Sequence, residues 1–205
     1  MAASGPHRIG FLGGTFDPIH VGHLVAAVNV RYELALDVVL LVVANEPWQK
    51  VETRPVTPAR DRLALVETAV EGFDGIEACS IEIDRGGVSY TADTVADLER
   101  IYPGAELSLV IGADVALQLG TWERIEEVRP KVSLVVVNRP GSAAVMPGED
   151  GPLAGWKAEA VEIPALEISS TDLRDRAATG RPLDFLIPEP AIRLLRERSL
   201  YGGGR

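Results

Sequence analysis

The stretch Arg8-Ile9-Gly10-Phe11-Leu12-Gly13-Gly14-Thr15-Phe16-Asp17-Pro18-Ile19-His20-Val21-Gly22-His23 decides how this chain is read. A short apolar run stops at paired glycines. Beyond it, Leu24, Ala27, Val28 and Tyr32 recur at helical spacing from Leu24 to Leu36. A strand that breaks on glycine and feeds a helix begins an alternating α/β chain.

The alternation continues outward from there. Asp37 to Val43 is a continuous β-branched run, as in a strand covered on both faces. Asn45 to Thr57 is a Pro-containing loop, and Pro58 suits the first turn of a helix reaching about Glu71. Ile76 to Ile83 reads as a strand and Thr91 to Ile101 as a helix. Leu107–Ile111, Val132–Val137 and Val161–Ile163 read as strands. Ser142 to Gly155 reads as a loop, Ser170–Ala178 and Pro190–Arg198 as helices, and Tyr201 to Arg205 as a frayed end. The expected fold is a doubly wound (Rossmann-like) α/β domain. It has one parallel sheet over residues 1–205, with a C-terminal helical portion from about 169. In such sheets ligands bind beyond the carboxyl ends of the strands, so chemistry is sought just after them.

Composition narrows the classes. The chain has 205 residues, 20 Lys+Arg against 30 Asp+Glu, a formal charge of −10, and 46% hydrophobic residues. That supports a sizeable core and excludes disorder of the whole. The acidic balance argues against coating nucleic acid, but not against a small anionic substrate in a locally basic pocket. One cysteine excludes an intrachain disulfide framework. Cys79 reads as a core residue. The first ten residues lack an apolar signal region, and no apolar run spans a bilayer, so a cytoplasmic location without membrane or nucleic-acid partners is expected. A homo-oligomer stays open.

The residues after the first strand carry the chemistry. Gly13 and Gly14 would let phosphates approach the backbone. His20 and His23, three apart, face the same way on an opening helical turn, and Gly22 leaves that face uncrowded. The helix N-terminus adds N–H donors and positive dipole. A metal site is the weaker reading: His7 is the only other histidine, and the zinc-protease spacing is absent. No metal ligands are assigned.

The segment Gly13 to His23 resembles the signature of the His-x-Gly-His nucleotidylyltransferases. Four later segments, in order, resemble bacterial nicotinate-nucleotide adenylyltransferases: Ser89-Tyr90-Thr91-Ala92-Asp93-Thr94; Ile111-Gly112-Ala113-Asp114 with Trp122; Asn138-Arg139-Pro140-Gly141; and Ile168-Ser169-Ser170-Thr171-Asp172-Leu173-Arg174. The resemblance implies adenylyl transfer from ATP to nicotinic acid mononucleotide, with Mg²⁺ on the ATP phosphates. The products are deamido-NAD and pyrophosphate. It implies no protein nucleophile, so catalysis rests on positioning and charge stabilisation.

The site residues follow from that resemblance. His20 and His23 hold the ATP phosphates, with Thr15 and the Gly14–Phe16 backbone beside them. Ser169, Ser170, Thr171 and Arg174 meet the β- and γ-phosphates. Serine capping of a helix is the competing explanation for one of those hydroxyls. Arg139, after a strand end, contacts phosphate. Gly112 admits the adenosine, and Asp114 accepts from ribose hydroxyls or caps a helix. Ser89, Tyr90 and Thr91 recognise the nicotinate carboxylate, with a helix cap the competing role for Thr91. Trp122 stacks on the nicotinate ring or belongs to the core, and Asn45 lines the acceptor pocket. The family's Pro-Pro-His-Lys after strand 2 is replaced by Glu46-Pro47-Trp48-Gln49-Lys50, which keeps Lys50 for a phosphate role. The alternatives are a nicotinamide mononucleotide or phosphopantetheine acceptor, or a nucleotide-binding sensor without catalysis.

Overall fold

Why the apolar runs become strands and the periodic segments helices is visible in what each buries. The computed structural model describes residues 7–47, 55–138, 148 and 151–202. The strands are β1 (Arg8–Gly14), β2 (Val38–Val43), β3 (Ile76–Cys79), β4 (Glu106–Gly112), β5 (Val132–Asn138) and β6 (Ala158–Glu162). The helices are α1 (Val21–Glu33), α2 (Ala59–Val70), α3 (Ile81–Arg85), α4 (Thr91–Ile101), α5 (Ala113–Ala116), α6 (Ile125–Val128), α7 (Ser170–Thr179) and α8 (Glu189–Glu197). Short 3₁₀ turns occupy Leu119–Thr121 and Leu200–Gly202.

The six strands form one parallel sheet in the order β3-β2-β1-β4-β5-β6. The chain runs outward from β1 to β3, then returns to place β4 on the other side of β1. That reversal is the switch point of a doubly wound α/β fold, as expected. All six residues of β2 are buried, which is why the run is continuous rather than alternating. Among the described residues, no helix is long and apolar enough to cross a membrane.

The chain divides into two compact units, one of Met1–Gly13, Ala26–Leu40 and Tyr90–Ala165, the other of Gly14–Val25, Leu41–Ser89 and Leu166–Arg205. In the first, Ile9, Phe11, Leu109, Ile111, Leu134 and Val136 fill the sheet's core. Gly10 is required there: a Cβ would stand 2.7 Å from Leu36 Cδ1 and 3.1 Å from Val39 Cγ2. The Asp37 carboxylate accepts the N–H groups of His7 (2.8 Å) and Arg8 (2.9 Å), which pins the start of β1. Those two hydrogen bonds hold its pKa below the usual value.

In the second unit, α2 packs against α8 and β3. Leu63, Leu65, Val66 and Ala69 of α2 and Ala191, Ile192 and Leu195 of α8 are buried. Here the structure departs from the sequence reading. Ile76 to Ile83 is not one strand: it ends at Cys79, and α3 follows. Isoleucines at 81 and 83 fit either period over so short a span. The helix wins because Ser80 Oγ and the Asp84 carboxylate bond at 2.5 Å across one turn, the Asp84 N–H reaches Ser80 O at 2.9 Å, and Gly86 at φ +75° ends it. Cys79 is half-buried in the strand, and burial raises its thiol pKa.

Candidate active site

The segment after β1 packs inward rather than into solvent. Thr15, Phe16, Asp17 and His20 are all buried. Phe16 lies at φ +47°, and its ring covers Gly14, where a Cβ would meet ring carbons at 2.9–3.1 Å. Gly14 therefore makes room for Phe16, whereas nothing lies within 4 Å of a Cβ built on Gly13. Of the two glycines, only Gly13 leaves open backbone of the kind the sequence suggested.

His20 immediately precedes α1, and His23 sits in its first turn. Their rings stack at 3.7 Å between centroids and 24° between planes. Phe16 meets His23 edge-on at 4.9 Å. The His20 N–H donates to His23 Nδ1 at 3.3 Å, so in neutral His23 the ring proton sits on Nε2. Gly22 leaves room for the His20 ring, since a Cβ there would lie 3.1 Å from His20 Nδ1. The i, i+3 spacing thus brings both imidazoles together at a helix N-terminus.

The start of α7 is tied to the same segment. Ser169 Oγ caps the helix by accepting the Asp172 N–H at 3.2 Å. Ser170 Oγ donates to Pro18 O at 2.9 Å. Arg174 Nη1 donates to Asp17 O at 2.8 Å and Nη2 to Thr171 Oγ1 at 3.1 Å. The guanidinium thereby stands beside the loop that carries the histidines.

Asn45 and Ser89, assigned to one pocket from sequence, are hydrogen-bonded: the Asn45 N–H donates to Ser89 Oγ at 2.9 Å. Asn45 Nδ2 donates to Gly87 O at 2.9 Å, and the Ser89 N–H to Glu46 O at 3.1 Å. In the other unit, Thr91 is the first residue of α4 and makes no capping bond; Tyr90 holds the cap position. Asp114 also caps nothing with its side chain; its Oδ1 lies where a Gly112 Cβ would be, 2.6 Å away. A side chain at 112 would displace the exposed Asp114 carboxylate. Trp122 is half-buried, which makes it neither a core tryptophan nor a free one. Its segment is fastened by Arg124, which reaches Asp93 Oδ1 of α4 at 2.6 Å and both Glu127 oxygens. Lys50 and Arg139, with Trp48 and Gln49, lie outside the described residues.

Three residues that belong to this segment or bond to it escaped the sequence reading. Arg62 of α2 is 1% exposed. Its signal was present in the sequence, since it shares helical spacing with buried Leu65, Val66 and Ala69. Asp17 is 1% exposed and accepts the Tyr201 hydroxyl at 2.8 Å. Tyr201 was expected to fray; instead the tail turns back through the Leu200–Gly202 turn, because this phenol finds a carboxylate partner. Burial, foremost, raises the Tyr201 pKa above its ordinary value of 10.0. The folded state then holds the phenol proton more tightly than the unfolded chain. This share of stability is intact below about pH 10 and is lost as pH rises beyond it. Tyr201→Phe is expected to cost about 1–2 kcal/mol at pH 7 in urea unfolding. The gap between variant and parent narrows above about pH 10; a pH-independent gap would contradict this.

Among the described residues, no group of three or more His, Cys, Asp or Glu side chains is arranged to hold a metal ion.

Known proteins resemble this chain in sequence and fold. The cytidylyltransferase-like family model matches residues 11–176. A protein of Corynebacterium kroppenstedtii named a probable nicotinate-nucleotide adenylyltransferase is 43% identical over 194 residues, covering 95% of this chain and 90% of its own. One of Exiguobacterium sibiricum with the same name is 42% identical, with 95% and 98% coverage. The fold resembles that of Plasmodium falciparum nicotinic acid mononucleotide adenylyltransferase complexed with NaAD, at a TM-score of 0.77 and 17% identity over 96% and 98% of the two chains. With its histidine pair at the head of α1, a matching family model over most of its length and relatives above 40% identity, this chain belongs to the cytidylyltransferase-like family and, within it, to the nicotinate-nucleotide adenylyltransferases.

Proposed function

We propose that this protein transfers the adenylyl group of ATP to nicotinic acid mononucleotide, releasing pyrophosphate and forming deamido-NAD. The observation that carries the reading is the stacked His20–His23 pair at the N-terminus of α1, with Arg174 bonded to the same loop through Asp17 O. Such a cluster suits an in-line displacement at the α-phosphorus. The acceptor phosphate attacks, the bond to the bridging oxygen breaks, and pyrophosphate leaves with its electrons.

The loop after β1, from Gly13 through Thr15 and Phe16 to His23, is the donor loop. The Gly22 N–H in the first turn of α1 and His23 Nε2–H donate to phosphate oxygens, and His20 supports the ring beside it; the Val21 and His23 N–H groups are held by Leu186 O and His20 O. Arg174 and Thr171 take the leaving phosphates, together with Ser169 and Ser170 once their present partners release them. Mg²⁺ arrives on ATP as part of the substrate and neutralises phosphate charge. Arg139 and Lys50 add cationic contacts. The loop after β2, with Asn45 bonded to Ser89, is the acceptor loop. Ser89, Tyr90 and Thr91 recognise the carboxylate, and half-exposed Trp122 offers a face for the pyridine ring. Gly112 and Asp114 serve the adenosine. The reaction takes place in the cytoplasm, where an adenylyl acceptor and ATP meet without a membrane between them.

The test compares initial rates of pyrophosphate release from ATP with nicotinic acid mononucleotide, nicotinamide mononucleotide and phosphopantetheine. At least about tenfold higher kcat/KM for the acid is expected, the size of one lost charged hydrogen bond. Preference for either other acceptor overturns the assignment. Binding of ATP without turnover by any acceptor would favour the sensor.

A further inference from the structure

Arg62 presents a problem that the reaction alone does not explain. A guanidinium in the middle of a buried helix stripe is costly unless its N–H groups are satisfied. Here they reach carbonyls from three separate segments. Nη1 donates to Thr15 O at 2.6 Å, Nη2 to Ala44 O at 2.7 Å and Asn45 O at 3.1 Å, and Nε to Thr57 O at 2.8 Å. Thr15 belongs to the loop after β1. Ala44 and Asn45 open the loop after β2, and Thr57 leads into α2. One rigid, planar group therefore sets the separation of two loops that are thirty residues apart in sequence. The Ala44 N–H, donating to Gly14 O at 3.0 Å, is a second tie across the same gap.

We propose that Arg62 is a positioning residue for adenylyl transfer, clamping the donor loop to the acceptor loop so that the attacking phosphate and the α-phosphorus meet in line. It touches neither nucleotide. The inference rests on the donor and acceptor roles proposed above for these loops. Each nucleotide binds largely through its own loop, so a change in loop separation registers in the reacting geometry before it registers in binding. Misplacement by about 1 Å is enough to cost on the order of 10²-fold in rate. Lysine cannot replace this arginine: a single ammonium does not span carbonyls on several sides as a planar fork does.

The experiment is steady-state kinetics of Arg62→Lys with ATP and nicotinic acid mononucleotide, together with amide hydrogen exchange. The expected result is kcat lowered about 10–100-fold with each KM within about threefold. Exchange at the Ala44 amide is expected to quicken at least about tenfold while the amides of α4 hold their rates. Should Arg62→Lys fail to fold, Arg62→Gln, which buries no unpaired charge, is measured for the same split. Parental kcat in a folded variant, a loss confined to KM, or lowered kcat with unchanged Ala44 exchange overturns the inference. Asn45→Ala tests the loop assignment separately. If it raises the acceptor KM while Arg62→Lys and Arg62→Gln keep parental kcat, only the inference fails. If it leaves the acceptor KM unchanged, the loop assignment fails and the inference with it.

Discussion

His23→Ala is expected to lower the rate of pyrophosphate release by about 10²–10³-fold, equivalent to about 2.7–4 kcal/mol of transition-state stabilisation. The His20 N–H donates to His23 Nδ1, which leaves the proton of the neutral ring on Nε2. The ring is further fixed by stacking on His20 and by the edge of Phe16. A donor held this way needs little reorganisation as charge builds on the phosphate oxygens. The loss should appear in kcat more than in KM, because charge on the bridging and equatorial oxygens develops in the transition state. His23 is half-exposed, so the variant should fold, with an unfolding midpoint within a few degrees of the parent. His23→Gln, which keeps an N–H donor, should recover part of the rate. Parental turnover in His23→Ala would remove the residue from the mechanism.

Arg174→Ala is expected to lower kcat/KM for ATP by about 10²-fold, mostly through a higher KM for ATP. Two of its nitrogens are anchored to Asp17 O and Thr171 Oγ1, so the fork is already oriented in the free protein. Preorganised, it meets the ATP phosphates without first losing rotamer freedom. Arg174→Lys keeps the charge but not the simultaneous hold on Asp17 O, and an intermediate loss is expected. Initial rates at varied ATP and fixed saturating acceptor check both variants. An unchanged KM for ATP in Arg174→Ala would place the ATP phosphates elsewhere. The KM for the acceptor serves as the internal control and should stay within about threefold.

Much of the fold was legible because the relevant signals are local. The continuous apolar run at Val38–Val43 reads as a two-sided strand, and all six residues are buried. The helix expected over Thr91 to Ile101 is α4. The histidine pair was legible for the same reason, since residues three apart on a helical turn must share a face. Where two periods fit equally, as at Ile81 and Ile83, the sequence was ambiguous, and the Ser80–Asp84 contact decided for helix. The hydroxyls of Ser169, Ser170 and Thr171 were legible as a group. Their separate commitments, to the Asp172 N–H, Pro18 O and Arg174, were not.

What the sequence determined by itself was the alternation of strand and helix, and the glycine–histidine motif with its companion segments. Periodicity and short-range spacing are properties of neighbouring residues. Only the tertiary structure decided which distant groups share a hydrogen bond. It returned Tyr201 to Asp17, set Asn45 against Ser89, and ran the guanidinium of Arg62 between the loops after β1 and β2. The physical reason is desolvation. A buried cation or carboxylate must find partners wherever the packed backbone presents them, and that choice is made in space rather than along the chain.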